Sequence, residues 1–230
     1  MKPLLLLHGA LGAKSQFEPL LSLLPAQVPV YSFNLAGHGG APFAEAPFRM
    51  ESFVEQLLHW LKEKNLGQVN VFGYSMGGYV ALEAARQESR HFGQIFTLAT
   101  KFAWSPESAQ HETSRLNPEI IQEKVPQFAE ALRHRHAPQD WQELMRQTAQ
   151  MMHRLGDQPL LTAETLAQIQ VPVRVAVGDR DQMVTLEETI AAYRQLPTAQ
   201  LQILPDTKHP LEQVNWPLLA QALSHYFSYA

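Results

Sequence analysis

The chain has 230 residues, a formal net charge of −4 with histidines neutral, 45% apolar and 17% charged residues, and no cysteine. This suits one globular domain, or one domain carrying an insertion, and excludes disorder, collagen and coiled coil. No Lys/Arg run is present to track a phosphate backbone, so no nucleic-acid partner is expected, and the lack of cysteine excludes disulfides and thiolate sites and fits a cytoplasmic protein.

Leu4 to Leu7 is a short apolar run ending in His8-Gly9, the pattern of a strand covered on both faces. Lys2 precedes it, but Pro3 and His8 leave the run far short of a secretory h-region, so no signal peptide is expected. Phe17, Leu20, Leu21 and Leu24 follow at helical spacing, and Val28 to Asn34 predicts a second strand. Met50, Phe53, Val54, Leu57, Leu58 and Leu61 mark one helix face, with Gly67 where a stop is expected. Gln68 to Gly73 predicts a third strand running into GYSMGG, Val80 to Ala85 a helix, and Ile95 to Ala99 a fourth strand. Val173 to Val177 and Leu201 to Leu204 supply two more strands. A helix with Ile190, Tyr193 and Leu196 lies between them, and a last helix carries Leu218, Leu219 and Tyr226.

Alternating strands and helices predict an α/β fold, a mostly parallel six-stranded sheet with helices on both faces. Residues 101–161 break the rhythm: Pro118 and Pro138 sit where helices start, Pro126 interrupts, and Trp141, Leu144, Met145, Thr148, Met152 and Leu155 mark a helix face. The expected division is a core of residues 1–100 and 162–230 and a helical cap, or lid, of residues 101–161 over the carboxyl ends of the strands. No stretch approaches the roughly 20 apolar residues of a membrane span, so no integral membrane segment is expected. The composition sets no oligomeric state.

The strongest chemical signal is Gly73-Tyr74-Ser75-Met76-Gly77, a G-x-S-x-G pattern between a predicted strand and a predicted helix. The bare pattern arises by chance in roughly 8% of chains of this length, so its position carries the weight. A nucleophile on a tight strand-to-helix turn needs neighbours without side chains, and the helix start behind it places a positive dipole near a developing oxyanion. The competing reading is a glycine-rich turn with an N-capping serine. The segment His8-Gly9-Ala10-Leu11-Gly12 is suited to supply a second backbone donor, from Ala10, beside the N–H of Met76. His8 itself is expected to order the loop.

HGALG, NLAGHG, GYSMGG, GDRDQMV and TKHP, in this order and spacing, resemble the α/β-hydrolase superfamily, and the resemblance spans nearly the whole chain outside residues 101–161. It implies the α/β-hydrolase fold and a triad in the order nucleophile, acid, histidine. Ser75 matches the nucleophile, Asp181 the acid of a G-x-x-D-x-x-V pattern with Gly178 and Val184, and His209 the base before the terminal helix. Asp179, two positions earlier, is the competing acid. His38 resembles a loop histidine of structural character, and Asn34 stands where the family usually has Asp. The chain starts at the strand before the oxyanion loop, without the hairpin of larger members, which implies a minimal core and a modest pocket.

The reaction implied is hydrolysis of a small to medium carboxylic ester or thioester, a small-molecule substrate, through an acyl-Ser75 intermediate and without a cofactor. Serine at this position disfavours the dehalogenase and epoxide-hydrolase branches. Alternatives with the same triad are a carbon–carbon bond hydrolase, a lyase of the menaquinone-pathway type, and a receptor that binds without turnover. Leu11, Phe102, Trp104, Met145 and Met183 are the candidates to face an acyl group, although apolar residues at helical spacing more often pack inward. Arg115, Arg133 and Arg135 are candidates for a substrate carboxylate, with solvated surface charge as the simpler reading. His134 and His136 are read as surface histidines, since residues two apart on a helix do not share a metal and no HExxH accompanies them; no metal site is expected.

Overall fold

The computed structural model describes residues 1–229. Six parallel strands form one sheet in the order β2-β1-β3-β4-β5-β6. They are β1 (Leu4–Leu7), β2 (Val30–Ser32), β3 (Val69–Tyr74), β4 (Phe92–Leu98), β5 (Val173–Gly178) and β6 (Ala199–Leu204). The helices of the first half are α1 (Glu18–Leu21), α2 (Met50–Lys64) and α3 (Met76–Gln87). Between β4 and β5 lie α4 (Pro106–Thr113), α5 (Pro118–Lys124), α6 (Pro126–His136), α7 (Trp141–Asp157) and α8 (Ala163–Leu166). Then α9 (Leu186–Gln195) links β5 to β6, and α10 (Trp216–Phe227) closes the chain.

The strand period of two splits the core into two layers. Leu5 and Leu7 point with Val71 and Val175 to the face covered by α2, α3 and α9, where Leu57, Val80 and Ala192 meet them. Leu4 and Leu6 point with Phe72 and Phe96 to the opposite face, against Leu20 of α1 and Leu219 and Leu223 of α10. All four leucines of β1 are fully buried, each a gain of roughly 1.5–3 kcal/mol over exposure. The expected sheet, with helices on both faces, is the one observed.

Strand β1 has β2 on one side and β3 on the other, so the chain leaves the ends of β1 and β3 in opposite directions and opens a crevice there. Register pairs Leu7 with Gly73, which sets the segments that follow, Gly9-Ala10 and Ser75, side by side. A Cβ on Gly77 would overlap the carbonyl of Leu7, and one on Gly9 would press on Tyr74 and Ser75. Glycine is required where these two turns meet.

Several boundaries differ from expectation, for local reasons. The second strand is only Val30–Ser32, because beyond it the chain bonds to loops: Asn34 Oδ1 accepts from the Lys14 N–H at 2.8 Å, its Nδ2 donates to the Gly39 carbonyl at 2.7 Å, and the Leu35 N–H donates to His8 Nε2. An amide both donates and accepts here, which an aspartate in its place would not do. Helix α2 stops before Gly67, at Asn65, whose φ of +47° is the left-handed conformation of a C-terminal cap. Pro126 starts α6 instead of interrupting a helix, and α7 begins three residues after Pro138, where the Asp140 side chain accepts the Gln142 N–H.

Candidate active site

Ser75 sits at the turn from β3 into α3 with φ +50° and ψ −118°, a conformation costing of order 1–3 kcal/mol for a residue with a side chain. The surroundings over-determine it. The Ser75 N–H donates to the Leu98 carbonyl at 2.8 Å, and its own carbonyl accepts from Thr100 Oγ1 and from the Gly78 N–H, each at 3.0 Å. A Cβ at Gly73 would run into the Gly78 backbone, so this glycine admits the close packing of the turn.

The Ser75 hydroxyl lies 3.4 Å from His209 Nε2. His209 Nδ1 lies 2.8 Å from Asp181 Oδ2, and the second carboxylate oxygen, Oδ1, accepts the N–H groups of Met183 and Val184, both at 2.8 Å. The Asp181 side chain is fully buried, which strengthens its hold on the imidazole. Asp179 points elsewhere: its Oδ1 accepts the Thr207 N–H at 3.2 Å. Tyr74 adds a contact with no sequence signal beyond its place beside the serine, donating its hydroxyl to the His209 carbonyl at 2.7 Å.

Ala10 and Met76 line the same cavity as Ser75, and among the described residues no acceptor meets either backbone N–H. The Ala10 loop is a tight turn in which the Gly12 N–H donates to the Gly9 carbonyl at 3.1 Å and Leu11 takes φ +54°. His8 is fully buried, with Nε2 accepting the Leu35 N–H, so Nδ1 carries the proton and donates to the Gly9 carbonyl at 2.8 Å. His38 packs 5.0 Å from His8, ring to ring, and donates through Nδ1 to the Ala36 carbonyl. Burial keeps both rings neutral, pushing His8 down to about 4 and His38 well below the usual histidine range.

His136 corrects the sequence reading. Only His134 is a surface residue; His136 is fully buried beside His38, its Nδ1 accepting the Gly39 N–H at 2.9 Å and its Nε2 donating to the Leu11 carbonyl at 3.0 Å. At the end of α6 the chain turns back onto the Gly37–Gly39 loop, and helical spacing alone carries no sign of that. Burial holds this ring neutral too, pushed down to about 4. Of the three arginines weighed for a substrate carboxylate against the simpler reading of solvated surface charge, Arg133 pairs with Glu130, Arg115 reaches His111, and Arg135 donates to the Leu11 carbonyl and to Glu212.

A cavity of about 30 Å³ lies against Ser75, room for one or two water molecules. Of the five candidates to face an acyl group, Trp104 and Met183 line it, together with Met50, Tyr79, Met151 and Met152. The other three candidates do not. Leu11 and Met145 pack with Leu132, Trp141 and Leu144 among the inserted helices, and Phe102 lies toward an outer groove of about 350 Å³ that also touches Trp104. Lys101 is a charged wall residue the sequence reading missed; its Nζ stands 3.5 Å from Glu188 and 3.7 Å from Glu112 and donates to the Met183 carbonyl. Its signal was a lysine three positions past an apolar strand. Among the described residues, no group of three or more His, Asp or Glu is placed to hold a metal ion, and no helix is long and apolar enough to cross a membrane.

Residues 4–222 match the alpha/beta hydrolase family. Ethanol acetyltransferase 1 of Kluyveromyces lactis is 30% identical over 112 residues, 48% of this chain and 29% of that protein. A pimeloyl-(acyl-carrier protein) methyl ester esterase of Neisseria meningitidis is 34% identical over 98 residues, 43% of this chain and 35% of that protein, so the chain spans about a third of the length of these two relatives. In three dimensions it is similar to a thermophilic esterase from Thermogutta terrifontis, with a TM-score of 0.79, 22% identity, and coverage of 99% of this chain and 90% of that one. With the sheet order, the turn at Ser75 and a family match along nearly its whole length, the chain belongs to the alpha/beta hydrolase family.

Proposed function

We propose that the chain hydrolyses a small carboxylic ester or thioester through an acyl-Ser75 intermediate. The observation that carries this reading is the hydrogen-bonded line Ser75–His209–Asp181, ending on a cavity where two backbone N–H groups are free of protein acceptors. His209 Nε2 takes the proton of Ser75 as Oγ attacks the substrate carbonyl. The charge that moves onto the carbonyl oxygen is received by the N–H groups of Ala10 and Met76, each such donor lowering the barrier by about 3 kcal/mol, with the start of α3 adding its dipole. His209 then gives its proton to the leaving alcohol or thiol. Water repeats the sequence on the acyl-enzyme, with His209 as base, releasing the acid and restoring Ser75. Asp181 fixes the imidazole so that Nε2 faces the serine and stabilises the imidazolium formed twice per cycle.

The wall set by Trp104, Met151 and Met183 is apolar, and the cavity is small. Both features favour a short acyl group. Residues 101–161 act as the cap of this site, since Met151 and Met152 of α7 form part of its wall. Support for an ester bond comes also from the relatives, named as an acetyltransferase, a methyl ester esterase and a thermophilic esterase. The test is turnover of p-nitrophenyl esters of increasing acyl length, beside Ser75→Ala. Turnover by the parent that is lost in the variant supports the reading. Saturable binding of ester without turnover overturns it in favour of a receptor.

A further inference from the structure

We infer that His136, with Arg135, is a positioning residue for the oxyanion donor Ala10, acting from α6 through two peptide groups of the Gly9–Gly12 turn. The inference rests on Ala10 being that donor, and it makes the chemistry conditional on the seating of α6.

The path is continuous. His136 Nε2 and Arg135 Nη1 both donate to the Leu11 carbonyl, each at 3.0 Å. That carbonyl belongs to the peptide group whose N–H is on Gly12, and the Gly12 N–H donates to the Gly9 carbonyl at 3.1 Å. The Gly9 carbonyl belongs in turn to the peptide group whose N–H is on Ala10, which lines the cavity beside Ser75. A peptide group is planar, so fixing its carbonyl fixes the direction of its N–H. Donors on a carbonyl also polarise the group, and aligned groups reinforce one another. Leu11, at φ +54°, sits at the centre of the turn in a conformation that its own backbone preference opposes, so outside contacts must hold it.

His136 suits this task by its surroundings. The Gly39 N–H occupies Nδ1 as a donor, which leaves the proton on Nε2, pointed at Leu11. Arg135 carries the same tie to the base: its Nη2 lies 2.8 Å from Glu212, three residues after His209 and held also by Gln16 at 2.7 Å. The last turn of α6 thus touches the loop of the oxyanion donor and the loop of the base together. A displaced α6 releases both.

Two substitutions separate positioning from packing. In His136→Gln the amide nitrogen reaches the Nε2 position and keeps the bond to Leu11; in His136→Asn the amide oxygen keeps the bond to Gly39 and the Leu11 bond is lost. We expect His136→Asn to lower kcat on a short p-nitrophenyl ester by roughly tenfold with KM little changed, and His136→Gln to stay within about threefold of the parent. Amide hydrogen exchange of residues 9–12 is expected to speed up in His136→Asn and not in His136→Gln, a readout independent of turnover. Equal exchange and equal kcat in the two variants overturn the inference, even if both are less stable than the parent. A parent without esterase turnover refutes the proposed function instead, and the exchange comparison then still decides whether His136 holds the turn.

Discussion

The hydroxyl of Tyr74 donates to the backbone carbonyl of His209 at 2.7 Å, so the side chain next to Ser75 holds the loop that carries His209. The two strands that lead to these residues, β3 and β6, are not neighbours in the sheet. This one bond therefore spans a gap that no strand ladder bridges. The Tyr74 ring also lies 5.7 Å from the imidazole, and burial raises its hydroxyl above the usual tyrosine range, keeping it a donor at any working pH.

Removing only that hydroxyl, in Tyr74→Phe, is expected to lower kcat about three- to tenfold, in line with one neutral hydrogen bond of about 1 kcal/mol that sets the imidazole position. The melting temperature is expected to change little, because the ring stays packed. Steady-state kinetics on p-nitrophenyl acetate checks it; a kcat equal to the parent's would show that the loop holds His209 without this bond.

The carboxylates two residues apart invite a direct comparison. Asp181 contacts the imidazole and two backbone N–H groups, whereas among the described residues the Asp179 side chain bonds only the Thr207 N–H. Asp181→Asn leaves the shape intact but presents His209 Nδ1 with a group that also donates, and a loss of about 10³–10⁴-fold in kcat is expected. Asp179→Asn is expected to stay within about tenfold of the parent, its side-chain oxygen still able to accept from Thr207. A larger loss for Asp179→Asn would overturn the assignment of the acid.

The sheet was legible because its signals are local. Buried strands such as Leu4–Leu7 read as unbroken apolar runs, and helix faces such as Phe53, Leu57 and Leu61 repeat at the helical period. The pattern Gly178, Asp181, Val184 has one local reason, the Val184 N–H that helps fix Asp181, and one distant one, since a Cβ at Gly178 would overlap the Thr207 carbonyl. The contacts of Tyr74, Lys101, Arg135 and His136 were not legible. Each joins segments far apart in the chain, 124 residues apart for Arg135 and Leu11, and no short pattern encodes such a meeting. The inserted helices were visible by spacing, but which of their apolar residues reach the cavity depends on how α7 turns, so Met151 lines it and Met145 does not.

Trp104 stands between the 30 Å³ cavity at Ser75 and the 350 Å³ outer groove bordered by Leu161, Leu166 and Ala192, and its buried indole N–H has no partner among the described residues. Trp104→Ala removes the partition without breaking a hydrogen bond. It is expected to shift the optimal acyl length upward, raising kcat/KM for a hexanoyl ester relative to an acetyl ester by about tenfold, through added apolar burial at roughly 25 cal/mol per Å². Measuring kcat/KM across the ester series in parent and variant checks this, and an unchanged optimum would place the acyl group on another wall.

The three buried histidines set how the fold responds to acid. His8 and His136 are pushed down to about 4 and His38 lies well below its usual range, in each case chiefly by burial, with His136 adding repulsion at His8, His8 and His136 adding it at His38, and Arg135 opposing charge on His8 and His136. In the unfolded chain the same groups protonate near 6.5, so between about pH 6.5 and 4 the unfolded state binds more protons than the folded one. The stability contributed by the neutral rings is therefore fully present above about pH 6.5 and is lost as pH falls toward 4, by up to about 1.4 kcal/mol per pH unit for each ring. Urea midpoints at about pH 7.5, 6.5, 5.5 and 4.5 are expected to drop more steeply at each acid step. In His136→Gln, which has one fewer group to titrate and keeps the bond to Leu11, the fall is expected to be shallower by about one proton. The carboxylates titrate equally in both proteins, so the difference reports His136 together with its repulsion of His8 and His38; superimposable curves would mean that His136 is charged in the fold or never protonates in the unfolded chain.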